Sequence, residues 1–505
     1  MSARTARWSA SGSCGPNRGP TRLTESTVLS ESPKAVSFEK LPGGSLLRLY
    51  LSDTWGNSFA LDGFPAVGAG ESWLGRLGEI LRRQGALNMT TNQTLFRQLV
   101  DTGQLDGALR RLKAEGRPVA EIYWTLYNEA ATTATDLFAP IHRKWPWEGR
   151  VSQEASALLS EKEALVRDVL RIGTAMAGVG AFTKVPNVPA GPAALREVLS
   201  PVDSPVSPNI TLVFSDAHYL DAVEGTLEGL AERLRNLKAE GIRSDRIRTI
   251  LSRIHSVNSL FVSRVDRAVD PMIDEAIAAA KKPADQAALK LLKGKSAVAQ
   301  AKLIFRMFEA IFLSRLFEDP EGLFADAAGR QTLKRIERLR DLFELLEPEG
   351  AQRQRLLIAS SGVKSEQPYS PLLYVLPFLG PWTANTMPEG TLAATSRFVE
   401  GLSGERVAAL KSRSLMREPI PAIPTDTPAA DWDRAVLADA RERMAAGIPE
   451  ISPDRILAEL NRRVLAPRKT TLRMVGDTLR DQGAASFRKD EETTLQILQT
   501  KLNSL

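Results

Sequence analysis

A single cysteine, Cys14, among 505 residues excludes an intrachain disulfide framework and points to a reducing compartment. There are only three histidines, His142, His218 and His255. They lie far apart, and with one thiol they cannot close a zinc site without carboxylates, so each reads first as a structural histidine. No apolar run approaches the ~20 residues that span a bilayer, so no membrane partner is expected. Aromatic residues make up 6% of the chain, and none of its basic stretches interleaves aromatics in the manner that stacks bases. A Gly-x-Gly-x-x-Gly turn is missing, which argues against a dinucleotide fold. Gly294-Lys295-Ser296 lacks the upstream glycine and preceding strand of a phosphate loop and reads as a helix start.

The chain has a net charge of +6 and a pI near 9.3. Its basic residues sit beside acidic ones on helical stretches, as in Glu232-Arg233-Leu234-Arg235 and Arg335-Ile336-Glu337-Arg338. That pattern is a solvated helix face, so small anions are better expected partners than nucleic acid. Hydrophobic content of 43% allows a large core. Residues 1–38 read as a disordered or targeting tail. Its first part, Met1 to Thr24, is rich in Ser, Arg and Gly and lacks acidic residues and an apolar signal core. A cytoplasmic location is expected, with an organelle such as the plastid as the alternative if the tail is a transit peptide.

From Leu46 onward, short β-branched or apolar runs alternate with amphipathic stretches. Strands are expected at 46–53, 86–92, 149–154, 180–186, 209–214, 257–262, 355–360 and 381–386, most of them followed by helix. This is the pattern of an α/β fold of the (β/α)8 barrel type, expected over residues 39–401. Pro419, Pro421, Pro424 and Pro428 break the rhythm, so 402–469 reads as an insertion or subdomain. Residues 470–505 read as a pair of helices closing the barrel. Trp145-Pro146-Trp147 reads as a packing element near the third strand.

Lys184 lies in the apolar run Ala181-Phe182-Thr183-Lys184-Val185-Pro186. Lysine is rarely buried without a partner. An amine held in such a run is either an edge lysine reaching water or a nucleophile able to form a Schiff base with a carbonyl. In a barrel, polar residues at the C-terminal strand ends point into the active site. Those ends carry Asp53, Asn92, Glu154, Lys184, Asn209 with Thr211, and Ser259, followed by Arg264. Taken singly, each Asn or Asp there is better read as a turn or helix cap. Taken together they suit imine chemistry. The amine attacks a ketone, carboxylates move protons, amides and hydroxyls orient a sugar, and an arginine grips a phosphate.

These residues stand in fragments that resemble the transaldolases, lysine-dependent enzymes of the pentose phosphate pathway, and in particular their longer bacterial-type branch. The fragments include Thr90-Thr91-Asn92, Val151-Ser152-Gln153-Glu154, Thr183-Lys184-Val185-Pro186 and Asn209-Ile210-Thr211-Leu212-Val213-Phe214. Ser259-Leu260-Phe261-Val262-Ser263-Arg264, Ser361-Gly362-Val363-Lys364 and Asn385-Thr386-Met387-Pro388-Glu389 follow in family order. The resemblance implies a Schiff-base role for Lys184 and a general acid/base role for Asp53. It implies that Glu154 and Thr211 hold a catalytic water. Asn92, Asn209 and Ser259 would bind substrate hydroxyls, and Arg264 and Lys364 would bind phosphate. Phe261 stands where aldolase relatives carry Tyr, which favours transfer over simple cleavage. Gln93 replaces a family proline.

The activity implied is transfer of a dihydroxyacetone unit from sedoheptulose 7-phosphate or fructose 6-phosphate to glyceraldehyde 3-phosphate or erythrose 4-phosphate. It needs no cofactor and no metal. The alternatives are a fructose 6-phosphate aldolase-like enzyme or a catalytically silent barrel that binds. Phosphorylated sugars are the expected partners, and the protein is expected to be a monomer or homodimer.

Overall fold

The computed structural model describes residues 43–504 other than 66, 68–70, 179, 318–323 and 325; the expected 1–38 tail, with Cys14, lies outside the described residues. Eight parallel strands form a closed barrel: β1 (Ser58–Asp62), β2 (Asn88–Thr90), β3 (Val151–Glu154), β4 (Ala181–Pro186), β5 (Pro208–Val213), β6 (Val257–Phe261), β7 (Arg355–Ala359) and β8 (Thr383–Met387). Each strand pairs with the next in chain order and β8 returns to β1. Helices such as Val119–Lys144, Lys162–Ala175 and Asp216–Ala239 cover the outside. The strands are buried almost throughout, which is why they appear as short continuous runs and not as alternating ones. The β7–β8 connection departs from the repeat, because its described structure is a single 3₁₀ turn, Leu376–Phe378, and not an α-helix.

The first expected strand is corrected. Ser45–Arg48 forms a 3₁₀ turn, and Asp53 lies in an exposed turn ahead of β1. Leu46, Leu49 and Tyr50 are buried at helical spacing, and periodicity over so short an apolar run does not separate strand from buried helix. The true strand, Ser58-Phe59-Ala60-Leu61-Asp62, contains no β-branched residue and so carries little strand signal.

The expected C-terminal helix pair is one helix, Leu472–Ser504, unbroken across Gly476 and Gly483. Both glycines face the barrel. A Cβ on Gly483 would lie 2.8 Å from Leu212 Cδ2, and one on Gly476 would lie 3.1 Å from Phe214 O. The helix therefore carries its glycines where it meets β5, and no proline interrupts it.

The 402–469 segment supplies the helices Gly404–Ser412, Ala429–Leu437 and Pro453–Leu460. Trp432, Val436, Ile456 and Leu460 join the same apolar core as the barrel helices. Two buried lysines of the barrel's outer layer fasten it. Lys295 Nζ donates to Ile423 O (2.7 Å), and Lys302 Nζ donates to Glu418 O (3.0 Å) and to Leu415 O. Burial lowers both amines to about 7.

The N-terminal end of the barrel is plugged. Glu148 accepts from Ser58 Oγ (2.8 Å), Arg355 Nη1 (2.8 Å) and Asn88 Nδ2. Trp147 stacks on Trp55 with ring centroids 5.1 Å apart and donates to Tyr50 OH, so the Trp145-Pro146-Trp147 element packs this end.

Candidate active site

The strand register places the key groups side by side. Glu154 pairs with Lys184, Lys184 with Asn209, and Pro186 with Thr211. On the β1–β2 seam Asp62 pairs with Thr90. Partners in register on neighbouring parallel strands point the same way, so these side chains converge inside the barrel. At the C-terminal ends of the strands lies a cavity of about 420 Å³. Lys184, Asn92, Thr211, Ser259, Phe261, Arg264 and Lys364 line it.

Lys184 is 4% exposed. Its Nζ stands 3.2 Å from Glu154 Oε2 and donates to Thr91 O at 2.9 Å. Burial pushes the Glu154 carboxyl above its ordinary value, against the pull of the Lys184 ammonium. Thr211 is fully buried, and its hydroxyl has no hydrogen-bond partner among the described residues. It sits at a break in the β5–β6 register, and its neighbour Leu212 has a φ of 63°. Left-handed backbone is costly for a leucine and marks a place where the surroundings hold the chain under strain.

Asn209 lies beneath the cavity. It donates to Ser152 Oγ (3.1 Å) and accepts from Ser259 Oγ (2.6 Å), so it orients the hydroxyl that faces the cavity. Asn92 caps the helix Gln93–Asp101 by accepting from Leu95 N at 3.0 Å, and it also lines the cavity. Gln93 is fully buried and donates to Ala155 O at 2.8 Å, which ties the β2 turn to the segment after β3.

Arg264 stands over the Phe261 ring at 5.2 Å, and its guanidinium makes no hydrogen bond among the described residues. Burial pulls it below its ordinary value, against the attraction of Asp62 and Glu154. Lys364 is exposed at the rim.

Asp53 does not line the cavity; the carboxylate of the first strand that does so is Asp62. Asp62 Oδ1 accepts from Thr90 Oγ1 at 2.7 Å, and Thr90 meets Thr386 Oγ1 at 2.7 Å. Burial pushes Asp62 above its ordinary value, while Thr90, Lys184, Arg264 and Lys364 pull it down. The sequence signal that could have found it is Asp62-Gly63, an acidic residue before a glycine with φ of 114°. Phe487, from the C-terminal helix, also lines the cavity, and nothing local in the sequence marks it. Among the described residues no group of three or more His, Cys, Asp and Glu could hold a metal ion, and no helix is long and apolar enough to cross a membrane.

A sequence model described as Transaldolase/Fructose-6-phosphate aldolase matches residues 74–418. The chain is 31% identical to Transaldolase 2 of Streptomyces coelicolor over 343 residues, covering 67% of this chain and 79% of that one. It is 30% identical to a transaldolase of Saccharopolyspora erythraea over 342 residues, with coverage of 67% and 79%. A transaldolase of Trichodesmium erythraeum is 28% identical over 323 residues, with coverage of 63% and 74%. With a closed eight-stranded barrel and a polar cavity at its C-terminal face, the chain belongs to the transaldolase/fructose-6-phosphate aldolase family and is an enzyme that transfers aldehyde or ketone groups.

Proposed function

We propose that the protein is a transaldolase working through a Schiff base on Lys184. The observation that carries this reading is the buried Lys184 amine, held between the Glu154 carboxylate and a cavity that also presents Asp62, Arg264 and Lys364. The donor is a ketose phosphate such as sedoheptulose 7-phosphate or fructose 6-phosphate. The acceptor is an aldose phosphate such as glyceraldehyde 3-phosphate or erythrose 4-phosphate.

Arg264 and Lys364 hold the phosphate. Lys184 attacks the C2 ketone to give a carbinolamine. A water held by Glu154 and the unpartnered Thr211 hydroxyl carries the protons as hydroxide leaves, and an iminium results. Asp62 takes the C4 hydroxyl proton, and the C3–C4 bond breaks. Its electrons enter the iminium and form an enamine, while the aldose product leaves. The acceptor aldehyde is then attacked by the enamine carbon. Asp62 returns its proton to the new alkoxide, and water releases the product ketose from Lys184. Asp62 replaces Asp53 in this scheme, because Asp62 shares the cavity with Lys184.

Phe261 places a ring, and no hydroxyl, beside the cavity, which supports transfer over release of free dihydroxyacetone. We place the enzyme in the cytoplasm, as a monomer or homodimer.

The test is intact-protein mass spectrometry after incubation with fructose 6-phosphate and borohydride, followed by peptide mapping. A dihydroxyacetone-sized adduct on Lys184, absent from Lys184→Ala, is expected. A folded protein that gains no adduct rejects the reading. Free dihydroxyacetone formed without acceptor would favour the aldolase alternative.

A further inference from the structure

We propose that Glu491, on the C-terminal helix Leu472–Ser504, is a positioning residue for this active site. Its carboxylate fixes the segment behind Glu154 and so sets how Glu154 meets Lys184. The inference rests on the Schiff-base reading above, and Glu491 lies beyond residues 74–418, where the family match ends.

Glu154 is the last residue of β3, and the chain leaves the sheet after it. The next residues are nonetheless held one by one. Ala155 N donates to Lys184 O at 3.1 Å, and Ala155 O accepts from Gln93 Nε2. Ser156 N donates to Asp168 Oδ2 at 2.8 Å. The last two anchors both come from Glu491: Ser156 Oγ donates to Oε1 and Ala157 N donates to Oε2, each at 2.7 Å.

Glu491 is 1% exposed, and both of its oxygens are committed to this segment. It does not act alone on its helix. Gly483, Phe487 and Glu491 recur every fourth residue, on one helix face. Gly483 lets that face approach Leu212 and Arg264, and Phe487 forms part of the cavity wall. Asp490, next to Glu491, pairs with Arg97 at 3.2 Å and accepts from Thr94, fastening the helix to the segment after β2. A carboxylate that caps a loop at the surface would not touch the chemistry. This one holds the second and third residues after Glu154, the group 3.2 Å from the reactive amine.

Glu154 acts in forming the imine, so displacing it should slow the step on Lys184 while leaving the phosphate grip intact. In Glu491→Ala, kcat should fall tenfold or more, with KM for fructose 6-phosphate within about twofold of wild type. The rate of borohydride-trapped adduct formation should fall in proportion. Glu491→Gln keeps an oxygen for Ala157 N and an amide that the Ser156 hydroxyl can meet, so it should restore kcat to within about threefold. Ser156→Ala removes one anchor and should give a smaller loss in the same direction. It also decides the matter if Glu491→Ala does not fold.

Wild-type kcat in both Glu491→Ala and Ser156→Ala would overturn the inference. So would a rise in KM with kcat unchanged, since that would place Glu491 in substrate binding. If the wild-type protein forms no adduct, the Schiff-base reading fails and this inference falls with it. If the wild type forms the adduct and the variants turn over normally, only the role of Glu491 falls.

Discussion

At the scale of the residue, the two aspartates of the N-terminal region separate the sequence reading from the structural one. Asp62 shares the cavity with Lys184, whereas Asp53 is exposed ahead of the strand. Asp62→Asn should lower kcat by about 10²–10⁴, the usual range for losing a positioned acid/base. The trapped adduct should then change from a three-carbon to a six-carbon unit, because the imine forms and the C3–C4 bond stays intact. Asp53→Asn should leave both readouts unchanged. Loss of the Arg264 grip should appear in binding. A hydrogen bond to a charged group contributes about 1.5–3 kcal/mol, so Arg264→Ala should raise KM for a phosphorylated donor by roughly 10- to 100-fold.

Glu491 carries the pH signature. Burial is the largest cause of its rise to about 7 from an ordinary 4.5, and Asp168 and Glu154 add to it, while Ser156 and Ala157 oppose it. The folded state therefore favours the protonated form. The stabilisation this group gives is complete below pH 4.5 and is lost as the pH rises through about 7. Glu491→Gln cannot titrate, so its melting temperature should gain on wild type across that window and not below it.

At the scale of the element, small residues set how closely the outer layer packs. The helix Asp216–Ala239 meets the helix Gly191–Leu199 at Gly225 and Gly229. A Cβ on Gly225 would lie 2.6 Å from Pro192 O, a backbone atom that cannot swing aside. Gly225→Ala should therefore cost about 1–3 kcal/mol in urea unfolding, as overpacking does. Helix existence was legible here because the apolar residues of 217–239 recur at helical spacing; the closeness of the two helices was not, since it depends on Gly225 and Gly229 facing Pro192, Arg196 and Leu199 of the neighbouring helix. The 470–505 stretch shows the same division. Its amphipathic character was visible, but only the barrel surface at β5 explains why Gly476 and Gly483 leave the helix whole.

At the scale of the molecule, the barrel keeps its chemistry at one end and its fastening at the other. Glu148 and Arg355 form a pair that is 0% and 3% exposed in their side chains, at the end away from the cavity. Glu148→Ala leaves a buried guanidinium without its carboxylate and should cost about 3–5 kcal/mol. Activity per folded molecule should be preserved, which can be read by comparing active-site titration with unfolding midpoints.

The order of strands β2 to β8, the place of Lys184 on β4, and the line of Glu154, Asn209, Thr211 and Ser259 on β3, β5 and β6 were determined by the sequence alone. Each lies inside or at the end of a run whose residues have only one good way to be buried. What the tertiary structure decided is which distant groups join them. Asp62 replaces Asp53 because barrel closure pairs Ser58–Leu61 with β8 and leaves Leu46–Asp53 outside the sheet. Phe487 reaches the cavity, and Glu491 the segment after β3, because one continuous helix runs past the strand ends. Local pattern records a residue's burial and its period, and contacts between segments hundreds of residues apart arise only when the closed barrel brings their surfaces together.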